Sequence, residues 1–156
     1  MKIISGGQTG ADQAGLYAAF YKGIETGGFA PSKFMTLDGS DFSLRDKFGL
    51  VEVQGGYKKR TYMNVQNSDC TLRFAFNFNS AGEKCTFNAI KEYDKPHTDI
   101  DLGYPITYTM IKEVGDWIIE NDFKIINIAG NAQSKLDVFT PVYDAMCKLI
   151  DYLRKE

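Results

Sequence analysis

The chain has 156 residues, 44% of them hydrophobic and 24% charged, and its formal net charge is −2. This length and apolar content predict one domain, residues 1–156, with a continuous core. The slightly negative charge argues against a surface that coats nucleic acid, because such surfaces are normally basic.

Glycine and proline breaks divide the chain into short segments whose hydrophobic periodicity alternates between strand and helix. In the first half we predict a strand at 2–5, a helix at 11–21, a strand at 27–30, irregular structure at 32–56 with a turn at 38–40 and a short strand at 50–53, and a helix at 57–66. In the second half we predict strands at 70–76, 98–102 and 124–129 and helices at 83–93, 107–121 and 138–154. This alternation predicts a three-layer α/β domain, with a mainly parallel sheet of about five strands flanked by helices.

Cysteine, histidine and hydropathy patterns narrow the class of protein. Three widely spaced cysteines favour reduced thiols in a cytoplasmic protein over a disulfide framework or a zinc knuckle. His97 is the only histidine and has no partner at metal-ligand spacing, so we expect no metal site. The opening residues lack a signal-peptide pattern and no apolar run approaches about 18 residues, so we expect neither secretion nor a membrane span.

Three polar loops follow predicted strands, at residues 6–12, 77–86 and 130–134. The carboxyl ends of parallel strands lie at one edge of a sheet, which is where ligands bind in open α/β sheets. We therefore expect these loops to lie side by side around one ligand.

The first loop is rich in glycine and opens a helix. Its glycines let the backbone approach a ligand closely, and the helix start offers free N–H groups and a positive dipole end to a phosphate. The alternative is a tight turn in which Thr9 or Asp12 caps the helix. The pattern is neither G-x-G-x-x-G nor a P-loop. The predicted ligand contacts in this loop are Gly6, Gly7, Gln8, Thr9, Gly10 and Asp12.

The second loop leads into the predicted helix at 83–93. Asn79, Ser80 and Gly82 precede this helix and Thr86 lies in its first turns, so all four are candidate ligand contacts. Ser80 and Glu83 also have the spacing of a capping box. A ligand site and a capped helix start are both compatible with this sequence.

Polar residues elsewhere could complete the site. Gly130 and Asn131 follow an apolar strand and either contact the ligand or only lead to the last helix. Arg60 and Asn64 share one face of a predicted helix, where Arg60 could hold a phosphate or a carboxylate, and the alternative is a solvated face. Asp69 could accept a hydrogen bond from a ribose or a pterin-like ring, or could cap residues 66–68.

Several segments together are more specific to one protein family than any one of them alone. These segments are Ile4–Asp12, Gly27–Pro31, Asp38–Gly39, Arg60–Thr61 with Asn64, Ser68–Asp69 with Thr71–Leu72, Gly82 with Thr86, and Lys95–Pro96. In this arrangement the sequence resembles the "putative molybdenum carrier" family, a branch of the SLOG group of Rossmann-like proteins. The resemblance implies a Rossmann-like fold with a pocket at the strand ends for a phosphorylated pterin cofactor. Other SLOG branches are similar to nucleotide-messenger sensors or to the "Lonely guy" phosphoribohydrolases.

Two departures from these relatives bear on function. In the hydrolase branch a glutamate acts on the glycosidic bond, and Asn88 falls where that glutamate would align, although Glu83 leaves the alignment open. An amide cannot serve as general acid or base, which argues against hydrolysis. The basic cluster that many carrier-family members have is reduced here to Lys33. We include Lys33 among the predicted ligand contacts, and its aromatic neighbour Phe34 suits stacking on a base or pterin ring.

Three functional hypotheses follow. The first is a non-catalytic protein that binds a molybdopterin-type cofactor or a nucleotide and requires no other cofactor. The second is sequestering or sensing of a nucleotide messenger such as a cyclic ADP-ribose derivative. The third is a phosphoribohydrolase or N-glycosidase with Glu83 as the acid–base residue. We expect a homo-oligomer, with the helices from Thr107 and Val138 as a candidate dimer face, and no membrane or nucleic-acid partner.

Overall fold

Five parallel strands flanked by helices form the main sheet of the protein. A computed structural model of the chain describes residues 1–155, and Glu156, the last residue of the predicted domain, lies outside the described residues. The strands are β1 Lys2–Ile4, β2 Glu25–Gly27, β3 Phe29–Pro31, β4 Met35–Thr36, β5 Gly39–Ser40, β6 Val51–Val53, β7 Cys70–Ala75, β8 His97–Asp101 and β9 Ile125–Gly130. The helices are α1 Ala11–Tyr21, α2 Ser43–Asp46, α3 Gly56–Gln66, α4 Ala81–Tyr93, α5 Tyr108–Glu120 and α6 Phe139–Lys155, and a 3-10 turn occupies Ser32–Phe34.

The strand order of the main sheet is β2-β1-β9-β7-β8, and every pairing in it is parallel. The chain runs outward from β1 to β2 on one side and from β7 to β8 on the other, with β9 between β1 and β7. Such a reversal opens a crevice at the carboxyl ends of the central strands. The predicted Rossmann-like α/β architecture is confirmed.

Helices cover both faces of the main sheet. α1, α5 and α6 share one apolar cluster with the sheet, and α3 packs on α4 through a second, smaller cluster around Val65 and Ile90. The apolar stripes of α5 and α6, which include Ile118 and Met146, are buried in the first cluster. These stripes belong to the core, and a dimer contact through the other faces of these helices stays a prediction.

The strand predicted over residues 27–30 is split in two at Gly28. β2 joins the main sheet, whereas β3 pairs with β6 in a separate two-stranded parallel sheet. Gly28 has a φ of 127°, and a Cβ atom there would lie 2.2 Å from the backbone oxygen of Ser5. The prediction of one continuous strand was wrong because only glycine allows the chain to change sheets at this point.

Residues 32–56 were predicted to be irregular apart from a turn at 38–40 and a short strand at 50–53, but residues 32–54 have a small core of their own. β4 and β5 form a hairpin around the predicted turn, α2 follows, and β6 lies within one residue of the predicted strand. The buried side chains of this segment pack against Leu16 of α1 and Ala30 of β3, and are Phe34, Leu44, Phe48 and Leu50. This packing holds the tip of the hairpin, at Leu37, beside the carboxyl end of β1.

Candidate functional site

A cavity of about 740 Å³ opens at the carboxyl ends of β1, β9 and β7. Residues from all three polar loops line it, together with the face of α3 that carries Arg60 and Asn64. Ligand sites in proteins commonly enclose roughly 300–1,000 Å³, so this volume suits a small organic molecule.

The glycine-rich loop after β1 uses its amide groups internally. The amide of Gly7 donates to Ser5 Oγ at 3.2 Å, that of Gln8 to Asp12 Oδ2 at 3.1 Å, and that of Thr9 to Gln8 Oε1 at 3.0 Å. The first-turn amides of Ala11 and Gln13 in α1 donate to the backbone oxygens of Asn131 and Gln8. The turn is thus satisfied internally, but Gly10 is the N-cap residue of α1, and neither Thr9 nor Asp12 caps the helix through its side chain.

Asp12 and Arg60 form a buried ion pair in the cavity wall. The Nη1–Oδ2 distance is 2.9 Å, and the side chains are 11% and 8% exposed for Arg60 and Asp12 respectively. Burial raises the pKa of Asp12, and the charge of Arg60 opposes this shift. Among the described residues the buried Nε of Arg60 has no partner. A Cβ atom on Gly6 would lie 1.7 Å from Arg60 Nη1, so the glycine makes room for the guanidinium group.

Glu83 places a second carboxyl group in the same cavity. Its backbone N–H donates to Ser80 Oγ at 3.4 Å, so Ser80 caps α4, but no return bond from the Glu83 side chain to the Ser80 amide is present. Instead Glu83 lines the cavity. Its Oε2 lies 3.4 Å from the side-chain nitrogen of Asn131, and its Oε1 has no partner among the described residues. Burial, reinforced by the charge of Asp12, raises the pKa of Glu83 to about 7.

Arg73, in the neighbouring strand β7, holds the first turn of α4 in position. Its guanidinium donates to both carboxylate oxygens of Asp99, at 2.8 and 2.6 Å, and to the backbone oxygen of Glu83 at 3.0 Å. The rings of Phe78 and Phe87 lie 5.1 and 5.4 Å from it. The residue is buried in β7, so it ties the first turn of α4 to the sheet.

Asn131 joins the second and third loops. Its side-chain oxygen accepts from the amides of Phe76 and Asn77, at 2.8 and 3.1 Å, and its side-chain nitrogen donates to the backbone oxygen of Asn77 at 2.9 Å. Because these bonds use most of its polar capacity, Asn131 shapes the cavity wall more than it offers free donors.

Apolar and sulfur-bearing side chains from four different segments complete the cavity. Leu37, Tyr57 and Leu136 line it and are exposed to solvent, while Cys85 is half-buried beside Arg60. The Tyr57 ring stands 5.4 Å from the guanidinium of Arg60. Sequence reasoning missed these residues, because no motif marks them and their position depends on how the 32–54 segment and the last loop fold.

The amino-acid sequence matches the circularly permutated YpsA SLOG family over residues 3–150. The chain belongs to this SLOG family. It is similar to a protein of known crystal structure described as "Putative molybdenum carrier protein" from Syntrophus aciditrophicus SB, with 32% identity and a TM-score of 0.78 over 97% of this chain and 93% of that chain. No curated protein gives a significant match. The resemblance inferred from sequence is confirmed.

The cavity of this SLOG protein gathers most of the residues predicted from sequence. The predicted residues that line it are Gly6, Gln8, Asp12, Arg60, Asn64, Ser80, Gly82, Thr86, Gly130 and Asn131. Gly7, Thr9 and Gly10 shape the turn beneath it, and Gly10 adopts a φ of 88° where a Cβ atom would lie 2.5 Å from the Asn131 backbone oxygen. The contacts of any of these residues with a ligand remain a prediction.

Besides Gly7, Thr9 and Gly10, three further predicted contacts do not line the cavity. Lys33 lies in the 3-10 turn, where its amide donates to Glu52 Oε2 at 2.7 Å. Asp69 lies at the amino end of β7, opposite the cavity, and accepts two 2.8 Å bonds from amides that lead into β9. Asn79 is exposed, and its amide donates to Asn77. Lys33 was predicted from the family resemblance, Asn79 from its place before a helix and Asp69 from its hydrogen-bonding chemistry, and none of the three lines the cavity.

The sequence left two residues open as the counterpart of the glutamate in the hydrolase branch of the SLOG group. Asn88 is exposed on α4 and does not line the cavity, whereas Glu83 does. Within residues 1–155, no group of histidine, cysteine or acidic side chains is arranged to hold a metal ion. Over the same range, every helix is too short or too polar to cross a membrane.

Proposed function

We propose that the protein binds a phosphorylated heterocyclic small molecule, a molybdopterin-type cofactor or a nucleotide, in the cavity at the strand ends. The supporting observation is that two residues lining one cavity, Arg60 and Glu83, each carry a buried side-chain atom, Nε and Oε1 respectively, without a partner among the described residues. An unpaired buried polar group costs about 1–3 kcal/mol, and a ligand that supplies the missing partners removes this cost.

The distribution of side chains around the cavity supports a ligand with a flat ring and a polar end. Tyr57, Leu37 and Leu136 offer apolar surface at the exposed side, where a heterocycle can pack. The polar atoms of Arg60 and Glu83 lie in the buried part. A phosphorylated pterin or nucleotide combines these two kinds of surface in one molecule.

Calorimetry with purified protein tests this proposal. The titrants are AMP, GMP, cyclic ADP-ribose and molybdopterin, and we expect at least one to bind with one site per chain. Arg60→Lys keeps the positive charge beside Asp12 but removes the planar donor group, so we expect affinity to fall about tenfold or more. The exposed neighbour Lys59 provides the control, since Lys59→Ala should leave affinity unchanged. If none of the four titrants binds, the proposal is contradicted.

A second candidate function is cleavage of an N-glycosidic bond in a nucleoside monophosphate. The observation that favours it is the buried, cavity-lining carboxyl of Glu83, whose pKa of about 7 suits a group that donates a proton near neutral pH. In this reaction the bond between the anomeric carbon and the ring nitrogen breaks as water adds to the carbon. Glu83 protonates the departing nitrogen, and the proton that the water loses restores the acid form of Glu83. The products are the free base and ribose 5-phosphate.

Mass spectrometry separates the two candidates. Protein incubated with AMP or GMP is denatured, and the released small molecules are identified. Recovery of the intact nucleotide supports binding, storage or sequestration, whereas release of free base that stops in Glu83→Gln supports catalysis. Turnover that is unaffected by Glu83→Gln would remove Glu83 from any mechanism.

A further inference from the structure

The first turn of α4 leaves two backbone N–H groups unused. Ala81 and Gly82 both line the cavity, and within residues 1–155 neither amide meets an acceptor. α4 is a helix of 13 residues, so its amino end carries a partial positive charge. By contrast, the first-turn amides of Ala11 and Gln13 in α1 already donate to the backbone oxygens of Asn131 and Gln8, at 3.1 Å each. The free anion-binding capacity of the cavity therefore lies at α4.

Glu83 stands directly beside these amides and is only 3% exposed. Among the described residues its Oε1 has no partner, and its Oε2 has one weak contact, to the side-chain nitrogen of Asn131 at 3.4 Å. An ionised carboxylate in this position would normally collect two or three strong donors. The surroundings of Glu83 thus fit a neutral carboxylic acid, which needs an acceptor for its hydroxyl group.

The charges that face Glu83 come from four neighbouring elements. Asp12 of α1 and Asp99 of β8 disfavour a second negative charge, and Arg73 of β7 partly offsets them. Arg60 of α3 is engaged by Asp12. The charged residues that line the cavity are Asp12, Arg60 and Glu83. Their sum is zero with Glu83 protonated and −1 with Glu83 ionised, so only the protonated cavity suits an anion.

We propose that Glu83 holds a proton when the cavity is occupied and donates it in a hydrogen bond to an anionic oxygen of the ligand at the first turn of α4, so that binding takes up a proton from solution. This inference rests on the proposed function, because it requires an anionic ligand. Its consequence is that the protein binds more tightly in slightly acidic than in slightly alkaline solution. Above the pH at which free Glu83 ionises, affinity falls by up to about tenfold per pH unit.

Calorimetry in several buffers measures the proton directly. AMP or GMP is titrated at pH 8 in HEPES, Tris and phosphate-free tricine, whose ionisation enthalpies differ, and the buffer dependence of the heat gives the number of protons taken up. We expect close to one proton per ligand. Glu83→Gln is neutral and keeps a donor, so we expect it to bind without proton uptake and with an affinity that does not change between pH 7 and 8, where the phosphate of AMP or GMP stays a dianion. Glu92→Gln, an exposed change on the same helix, should behave like the wild type.

The outcomes separate this inference from the proposed function. Binding of either nucleotide without proton uptake, or with proton release, overturns the role of Glu83 and leaves the binding function intact. Absence of binding by both overturns the inference together with the nucleotide form of the proposed function. Carbon-13 NMR of the glutamate carboxyl groups adds a ligand-free measurement, and a Glu83 signal already fully ionised at pH 6 would also overturn the inference.

Discussion

At the scale of single residues, Asp12 links the first loop to α3. Its carboxylate accepts from the Gln8 amide and from Arg60, and its backbone oxygen accepts from Ser5 Oγ at 3.0 Å. Because both side chains of the ion pair are buried, removing one partner leaves an uncompensated charge in the cavity wall.

We expect Asp12→Ala to lower the free energy of unfolding by about 3 kcal/mol, since Arg60 then loses its counter-charge while it stays buried. Urea unfolding at pH 7 measures the change. Asp46→Ala is the matched control, because its ion pair with Arg45 is exposed, and it should not shift the midpoint. Equal effects of the two substitutions would contradict the buried role of Asp12.

Glu83 gives the stability of the protein a dependence on pH. Its pKa in the folded state is raised from 4.5 to about 7, so its contribution is fully present below pH 4.5 and is lost as pH rises through 7. Relative to Glu83→Gln, we expect the wild type to lose about 3 kcal/mol between pH 4.5 and 8. Urea unfolding of both proteins at pH 5, 6, 7 and 8 checks this, and parallel profiles would contradict it.

At the scale of elements, α3 holds the small sheet in place through Asn64. The side-chain oxygen of Asn64 accepts from the Phe29 amide at 3.0 Å, and its nitrogen donates to the Phe29 backbone oxygen at 2.9 Å. Through these two bonds the buried side chain of Asn64 pairs with the backbone of β3, as a neighbouring strand would. It also lines the cavity, so the same residue joins the fold to the site.

We expect Asn64→Ala to lower the free energy of unfolding by about 2 kcal/mol, because two partly buried backbone groups lose their partners. Amide hydrogen exchange should accelerate at Phe29, and urea unfolding measures the change in the free energy of unfolding of the whole chain. Asn67→Ala serves as the control, since its exposed side chain bonds only to the Met63 backbone oxygen. Unchanged exchange at Phe29 in Asn64→Ala would show that β3 does not depend on this contact.

The sequence predicted elements well where the hydrophobic period was regular. The main-sheet strands at 70–75 and 125–130 and the helices α5 and α6 lie within about two residues of their predicted bounds. The split at Gly28 was missed because it depends on how closely Ser5 of β1 approaches, which is a long-range contact. The small core of the 32–54 segment was missed for a similar reason, since its short strands pair across gaps in the sequence.

Prediction of the site depended on topology more than on motifs. The three loops come together because all follow strands of one parallel sheet, a property that alternation of elements reveals. Glu83 stayed ambiguous because capping-box spacing describes the backbone and does not fix the direction of its carboxyl group. Leu37 and Tyr57 carried no signal, and Asp69 had the right chemistry at the wrong end of β7.

At the scale of the whole molecule, the cavity lies where three units meet: the carboxyl edge of the main sheet, the hairpin of the small core and the helix pair α3 and α4. A ligand there contacts all three, so binding should stabilise the folded chain as a whole. At a ligand concentration 100 times the dissociation constant, the gain is about 2.7 kcal/mol, and thermal unfolding with and without AMP or GMP measures it.

The most direct measurement of cavity occupancy uses the cysteines already in the chain. Cys85 lines the cavity, Cys147 lies on α6 outside it, and Cys70 is fully buried. Alkylation by N-ethylmaleimide, followed by peptide mass spectrometry, reports each thiol separately. We predict that saturating AMP, GMP, cyclic ADP-ribose or molybdopterin slows the reaction of Cys85 about tenfold or more while Cys147 reacts at an unchanged rate. If Cys85 reacts equally fast with and without every one of these ligands, the cavity does not bind a phosphorylated heterocycle.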